Sequence, residues 1–333
     1  MRPRMDRLSR REFVGGSIAA GIIGLRSDRV GAEPPPETTT IRLPRQPYDV
    51  ACLAPIWVAE ELLRGEGFTN VRYVETPTQE KDLAAGTLDF IISDVTSLIL
   101  YIDAGSAVTV IGGVHAGCYE LIGTARIRSI RDLKGGTVAV ANAGRQAFVA
   151  SMASYVGLNP RTDIKFVSPS PAEAIQLLAE GKIDAVLGFP PEPQEMRAKK
   201  IGHPVVSTAV DRPWSQYFCC LVAGNREFVR EHPIAAKRVL RAILKATDIC
   251  AAEPERVTKL LVDRGYVRGK DYALQAIREI PYTRWRTHDS ADTIRFHALR
   301  MREAGVITSS PQKIIAQGTD WRFINELKKE LKG

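Results

Sequence analysis

The chain has 333 residues, 44% hydrophobic and 25% charged, with Gly and Pro at ordinary levels; this excludes disordered, collagenous and low-complexity chains and fits two domains of about 100–200 residues each. The formal charge of +8 is uneven: residues 1–32 carry seven Arg against three acids, and 39 basic against 35 acidic residues remain after them. So mild and dispersed a surplus speaks against a nucleic-acid-binding surface, which needs clustered Lys/Arg or a recognisable motif.

The N-terminus reads as an export signal. A charged segment, residues 1–11, precedes thirteen uncharged residues, 13–25, too short for a bilayer that takes about 20 apolar residues to cross. Within it Ser9-Arg10-Arg11-Glu12-Phe13-Val14 resembles the twin-arginine signature of proteins exported already folded. A general secretory signal is the plainer alternative, and both routes end outside the cytoplasm. Small residues Val30-Gly31-Ala32 before Glu33-Pro34-Pro35-Pro36 place cleavage after Ala32. The mature product is expected to be soluble and periplasmic.

From residue 40 the pattern alternates strands and helices. A strand at 40–43 is followed by a helix at 56–64, opened by Pro55 and closed by Gly65 and Gly67. Then comes an internal repeat. Leu83-Ala84-Ala85-Gly86-Thr87-Leu88-Asp89 returns as Leu178-Ala179-Glu180-Gly181-Lys182-Ile183-Asp184, each copy preceded by a strand (70–75 and 163–168) and a helix, and followed by an apolar strand (90–93 and 185–188). A helix stopped by glycine and an Asp opening the next strand predict two βαβ units with parallel strands. Between them lie a helix at 95–104, strands at 108–114, 119–125 and 137–141, and a helix at 145–156. After a strand at 218–223 the pattern is mostly helical to the end, a tail expected to pack on one of two lobes.

These stretches resemble the periplasmic substrate-binding proteins of ABC importers, in particular the nitrate, taurine, sulfonate and thiamine-precursor branch, the NMT1-like family. The resemblance rests on Ala54-Pro55-Ile56-Trp57-Val58-Ala59-Glu60, residues 83–94, Gly113-Val114-His115-Ala116-Gly117-Cys118-Tyr119-Glu120 and residues 168–191, and covers nearly all of 40–265. It implies an α/β, two-lobed periplasmic binding protein fold of type II, each lobe a mixed sheet flanked by helices, joined by two crossover strands. Residues 38–122 and 224–333 would form lobe 1 with the helical tail, and 123–223 lobe 2. It further implies a receptor that captures a small organic solute, anionic or aromatic, and hands it to a membrane permease with its ATPase. The chain would be a monomer touching the membrane only through that complex.

Ligands of open α/β sheets bind beyond the carboxyl ends of the strands. The loops there hold Tyr48 and Trp57, Ser93 and Asp94, then Asn142, Gly144, Arg145 and Gln146, and finally Phe189 and Glu192. The helix start at 142–146 suits an anionic group, with Gly144 permitting close approach and Arg145 supplying a fixed charge; Arg145 reads equally well as a solvated helix-start residue. Asp94 also reads as a plain helix cap. Tyr119 and Trp214 join Trp57 and Phe189 as candidate aromatic walls, and His115, at a strand end, is either a ligand contact or an interior donor.

No catalytic residue is assigned, and no cofactor is expected. The five cysteines (52, 118, 219, 220 and 250) show no C-x-x-C spacing and the five histidines are scattered, so buried thiols are expected rather than a metal site. The rival readings are an enzyme on the same fold, a pyrimidine-precursor synthase or small-acid decarboxylase, or a periplasmic ligand sensor. The synthase's cysteine-rich motif is absent, as are a G-x-S-x-G elbow and a phosphate-binding G-x-x-x-x-G-K-[ST] loop.

Overall fold

The computed structural model describes residues 33–332. The expected twin-arginine signal and its cleavage after Ala32 fall on residues 1–32, outside the described residues. Strands occupy β1 Thr40–Arg45, β2 Asn70–Glu75, β3 Phe90–Asp94, β4 Val108–Ala116, β5 Glu120–Gly123, β6 Gly136–Ala139, β7 Ile164–Val167, β8 Ala185–Gly188, β9 His203–Ser207 and β10 Phe218–Asn225. They form a parallel pair β1-β2, a three-stranded sheet β3-β10-β4 and a five-stranded mixed sheet β7-β6-β8-β5-β9. This is an α/β architecture of mixed sheets flanked by helices. The chain passes from the three-stranded to the five-stranded sheet at 117–119 and returns at 208–217.

The two copies of the repeat adopt one local structure. Gly86 and Gly181 both take a left-handed φ, +73° and +66°, closing their helices. Thr87 N–H donates to Asp82 O, and Lys182 N–H to Leu177 O, both at 2.9 Å. The Asp that follows then clamps one residue of a neighbouring strand through both its N–H and its C=O. Asp89 N–H donates to Arg42 O while its carboxylate accepts Arg42 N–H (2.7 Å); Asp184 N–H donates to Thr137 O while its carboxylate accepts Thr137 N–H (2.7 Å). An arginine completes each, Arg42 on Asp89 and Arg126 on Asp184. The parallel geometry follows in the second copy, where β7 and β8 both run parallel to β6 between them.

Two features depart from the pattern read in the sequence. Strand β9, with only Val205 and Val206 as a β-forming pair, is recruited by pairing with β5 rather than by its own periodicity. The helical tail packs on both sheets' layers rather than one. Helix Pro233–Ala252 lies against helix Ala54–Gly65 and β4, whereas Ser290–Glu303 reaches across to helix Ala143–Tyr155 of the other side. Among the described residues no helix is long and apolar enough to cross a membrane.

Candidate functional site

The carboxyl ends of β3 and β8 bring the two copies of the repeat face to face. β3 runs straight into helix Val95–Asp103, and β8 leads through Phe189, Pro190 and Pro191 into helix Glu192–Ala198. Between them, and closed by helix Ala143–Tyr155, lies a cavity of about 60 Å³ lined by Tyr48, Ser93, Asp94, Tyr119, Asn142, Arg145 and Phe189, with Val50, Leu53, Pro77, Gln79 and Glu80. By the measure in which one water needs about 10–15 Å³, it holds a handful of waters. A wider groove of about 560 Å³ opens beside it, lined by Tyr48, Asp49, Ile175, Glu192, Lys199 and Arg268 among others. Tyr48 borders both spaces, so it stands at the mouth of the inner one.

The wall from the three-stranded sheet is acidic. Asp94 caps its own helix, accepting Ser97 N–H at 2.8 Å and the hydroxyls of Thr96 and Ser97 at 2.7 Å each. Glu80 is half-buried and accepts the Ser93 hydroxyl; desolvation, helped by the charge of Asp94, pushes its carboxyl above the usual range although Ser93 and Gln79 pull it down. Gln79 fixes this corner, donating to Ile92 O at 3.0 Å and to Glu80 at 3.2 Å.

On the opposite wall, Arg145 is the one guanidinium at the cavity among the described residues. Arg145 is only 8% exposed. Burial opposes its charge, but Glu192 beside it more than compensates and raises its pKa. Its Nη1 donates to both Glu192 oxygens, at 3.1 and 3.3 Å. Glu192 also accepts Phe189 N–H at 3.0 Å, and the Arg145 guanidinium lies 4.9 Å from the Phe189 ring centroid. Tyr119 packs 5.2 Å from Phe189 and 5.0 Å from Phe148. It is 1% exposed, and burial holds its hydroxyl neutral far above the ordinary range.

The walls touch at backbone level. The single proton of Thr96 Oγ1 is shared between Asp94 and Gly144 O, the latter at 2.9 Å, and Ala51 N–H donates to Pro190 O at 3.1 Å. A Cβ on Gly144 would fall 1.9 Å from Ser97 Oγ, so only glycine lets the two helix starts meet. At the other end of the molecule's crossing segments, a Cβ on Gly117 would lie 2.2 Å from Ala209 Cα, which seats the first crossing directly on the second.

A family model described as NMT1/THI5 like matches residues 69–257, more than half of the chain. The chain belongs to the NMT1/THI5-like family. Among solved structures it is similar to the periplasmic nitrate-binding protein NrtA from Synechocystis PCC 6803, with a TM-score of 0.73, 15% identity, and 90% of both chains covered. It is also similar to the alkanesulfonate-binding protein SsuA from Xanthomonas axonopodis pv. citri bound to MOPS, with a TM-score of 0.68, 17% identity, and 87% and 100% of the two chains covered. The aliphatic sulphonate-binding protein SsuA from Escherichia coli gives 0.65 at 17% identity over 86% and 94%. At these identities the likeness is one of fold, the generic periplasmic binding protein fold. The chain matches no curated protein sequence.

Not every candidate residue of this NMT1/THI5-like chain reaches the cavity. Trp57 is in the core, its ring stacked 4.3 Å from Tyr266 and its Nε1–H donating to Pro44 O at 3.3 Å, because the helix after β1 turns that face onto the tail. Trp214 lies on the far side, against Phe148 at 5.8 Å and Phe296 at 5.7 Å, filling the seam under helix Ser290–Glu303. Gln146 points to solvent, one residue beyond the buried face of its helix. Glu192 reaches the cavity only through Arg145 and otherwise faces the groove.

His115 is fully buried, edge-on to Tyr282 at 5.4 Å. Burial pushes its imidazole down to about 4. Gln79 and Glu80 were not singled out from sequence. The repeat itself held the signal, since the helix before each Gly-Asp turn faces the strand end that builds the wall.

Proposed function

We propose that this NMT1/THI5-like chain is a solute-binding receptor of an ABC-type importer, working outside the cytoplasm and delivering its cargo unchanged to a membrane permease driven by a separate ATPase. The layers built on the three-stranded and five-stranded sheets act as two lobes. Solute in the cleft bridges them and holds them shut, and the Thr96–Gly144 and Ala51–Pro190 contacts are those that opening breaks. The chain acts as a monomer.

The observation that carries this reading is the meeting of the two repeat copies at one small cavity with aromatic faces on one side and polar ends on the other. Its charge supports a ring-bearing solute over an anion. Among the described residues, two carboxylates, Glu80 and Asp94, line the cavity with the guanidinium of Arg145, which Glu192 behind it already neutralises. An added anion would have to displace Glu192 or approach Glu80 and Asp94 at close range in a poorly solvated space. A neutral or cationic planar molecule with N–H donors would stack on Phe189 and Tyr119 and donate to Glu80.

A thermal-shift screen of the purified chain tests this. Small planar nitrogen heterocycles bearing amino groups should raise Tm by on the order of 5 °C at a hundredfold excess over Kd, and nitrate and alkanesulfonates should leave it unchanged. A shift with nitrate or a sulfonate alone would reverse the charge preference. Chemical turnover of the stabilising compound by the isolated chain would remove the receptor reading altogether.

A further inference from the structure

Beneath the cavity the fold collects four of the five cysteines around His115. Cys52 sits in the loop after β1, His115 near the end of β4, Cys118 in the first crossing between the sheets, and Cys219 and Cys220 in β10 just after the second. The β4-β10 ladder carries register shifts on both sides of Cys220, and such a bulge lets neighbouring residues of one strand serve the same side. One ligand atom from each of Cys52, His115, Cys118 and Cys220 lies within 4.8 Å of every other. Exposures are 0%, 0%, 6% and 0%. The spacing in sequence gives no hint of this, because three separate segments supply the four residues.

The imidazole is arranged as a ligand. Its Nδ1 is 3.1 Å from Ala116 O, a bond that fixes the proton on Nδ1 and leaves the lone pair on Nε2. Nε2 is buried and makes no hydrogen bond. An orphaned acceptor facing three thiols in a closed pocket calls for an explanation.

We propose that Cys52, His115, Cys118 and Cys220 form a closed, four-coordinate zinc site that fastens the cleft loop to the first crossing between the sheets and to strands β4 and β10. Three thiolates and one imidazole are a donor set characteristic of tetrahedral structural zinc. With Zn–S near 2.3 Å and Zn–N near 2.0–2.1 Å, the ligand atoms would stand about 3.5–3.8 Å apart, so the cluster need contract by only about 1 Å. On binding, three thiol protons leave to solvent and Nε2 donates its free lone pair. Cys219, whose Sγ is 2.8 Å from that of Cys118, stays outside the ligand set.

The site differs from the solute cavity but governs it. Cys52 lies between Val50 and Leu53, and Cys118 immediately precedes Tyr119; all three neighbours line the cavity. A metal here would hold both the aromatic wall and the loop that donates to Pro190. This assignment is independent of the solute's identity.

The test is zinc content of the full chain, purified without chelator, with zinc or cobalt alone then added to the unfolded, reduced and stripped protein during refolding. The expected result is one zinc per chain, thiols that react only after denaturation with chelator, and a cobalt form with thiolate-to-metal charge-transfer bands and the intense visible bands of a tetrahedral site. Cys220→Ser and His115→Gln should each lose the stoichiometric metal, while Cys250→Ser keeps it. Should the ligand variants fail to fold, the cobalt spectrum and thiol protection of the unmodified chain decide alone. Protein that folds yet takes up neither metal overturns the proposal. So does a Cys118–Cys219 disulfide in non-reduced peptide maps, or full zinc retention by Cys220→Ser.

Discussion

The two copies of the repeat deliver opposite walls of one cavity, and each carries an acid at the following helix start, Asp94 as the last residue of β3 and Glu192 four residues beyond the end of β8. Asp94 is turned in on its own helix, saturated by one N–H and two hydroxyls within three residues. Glu192 begins a helix whose cap position is Pro191, which offers no side-chain acceptor or donor. Its carboxylate is therefore left to hold Phe189 N–H and to reach Arg145, 47 residues away. The two acids hold different places, Asp94 a cap and Glu192 the first helical residue after the cap Pro191, and do different jobs: the first makes a rigid wall, the second sets the charge of the space.

Substitutions at the two acids separate these jobs. Asp94→Ala removes a helix cap and takes the acceptor from the buried Ser97 hydroxyl, Thr96 keeping Gly144 O, and should cost about 2–3 kcal/mol in urea unfolding. Glu192→Gln keeps the shape and one acceptor and should cost about half as much, but it frees the Arg145 charge. Thermal shifts with nitrate or an alkanesulfonate, absent in the parent, should appear in Glu192→Gln and not in Asp94→Ala. Equal stability losses with no gain of anion response would erase the distinction between the two walls.

The same comparison extends one strand upstream, to the aspartates that end each repeat. Asp89 is almost entirely buried, with its side chain 2% exposed, whereas that of Asp184 is 29% exposed, although both clamp one backbone N–H and one arginine. Arg42 can rehydrate when its partner is lost, so Asp89→Ala should cost about 2 kcal/mol rather than the 3–5 of a fully buried pair. Asp184→Ala should cost about 1 kcal/mol. Reversal of that order in parallel urea titrations would mean that burial does not grade the two copies.

Much of this frame was legible from residues alone. The Gly-Asp turn recurs with a fixed chemistry, and strands β2 and β8 begin and end where alternation and the turn residues place them. Seven of the candidate cleft residues meet at one cavity because the loops after parallel strands converge by topology, whatever their side chains. Trp57 and Trp214 could not be sorted the same way: their neighbours Tyr266 and Phe296 come from the tail, more than 80 residues distant in chain order. The cysteine cluster was hidden for a related reason, since Cys52, His115 and Cys220 meet only once β10 has inserted between β3 and β4. Only local and periodic signals are written in one stretch of chain.

The smallest effect, and the one that best discriminates between the walls, is the response to pH. Glu80 sits where the second copy of the repeat places Ile175, which lines the groove instead. Burial raises the Glu80 carboxyl above its unfolded value near 4.3. The protonated form is thus the one the fold prefers: the contribution to stability is complete below the unfolded pKa and is lost as pH rises through the folded one. Asp184 runs the other way, held down by Thr137 N–H and Arg126 against the pull of burial; its contribution is present above the unfolded pKa and fades as pH falls through the folded one. Glu80→Gln should therefore gain stability relative to the parent as pH rises from the unfolded pKa through the folded one, measured by urea midpoints at several pH values. A solute that donates N–H groups to Glu80 favours the ionised carboxylate and must release its proton on binding. Affinity in the parent should then climb across the same window and flatten in Glu80→Gln; a pH-independent Kd would place the donor end of the solute elsewhere in the cavity.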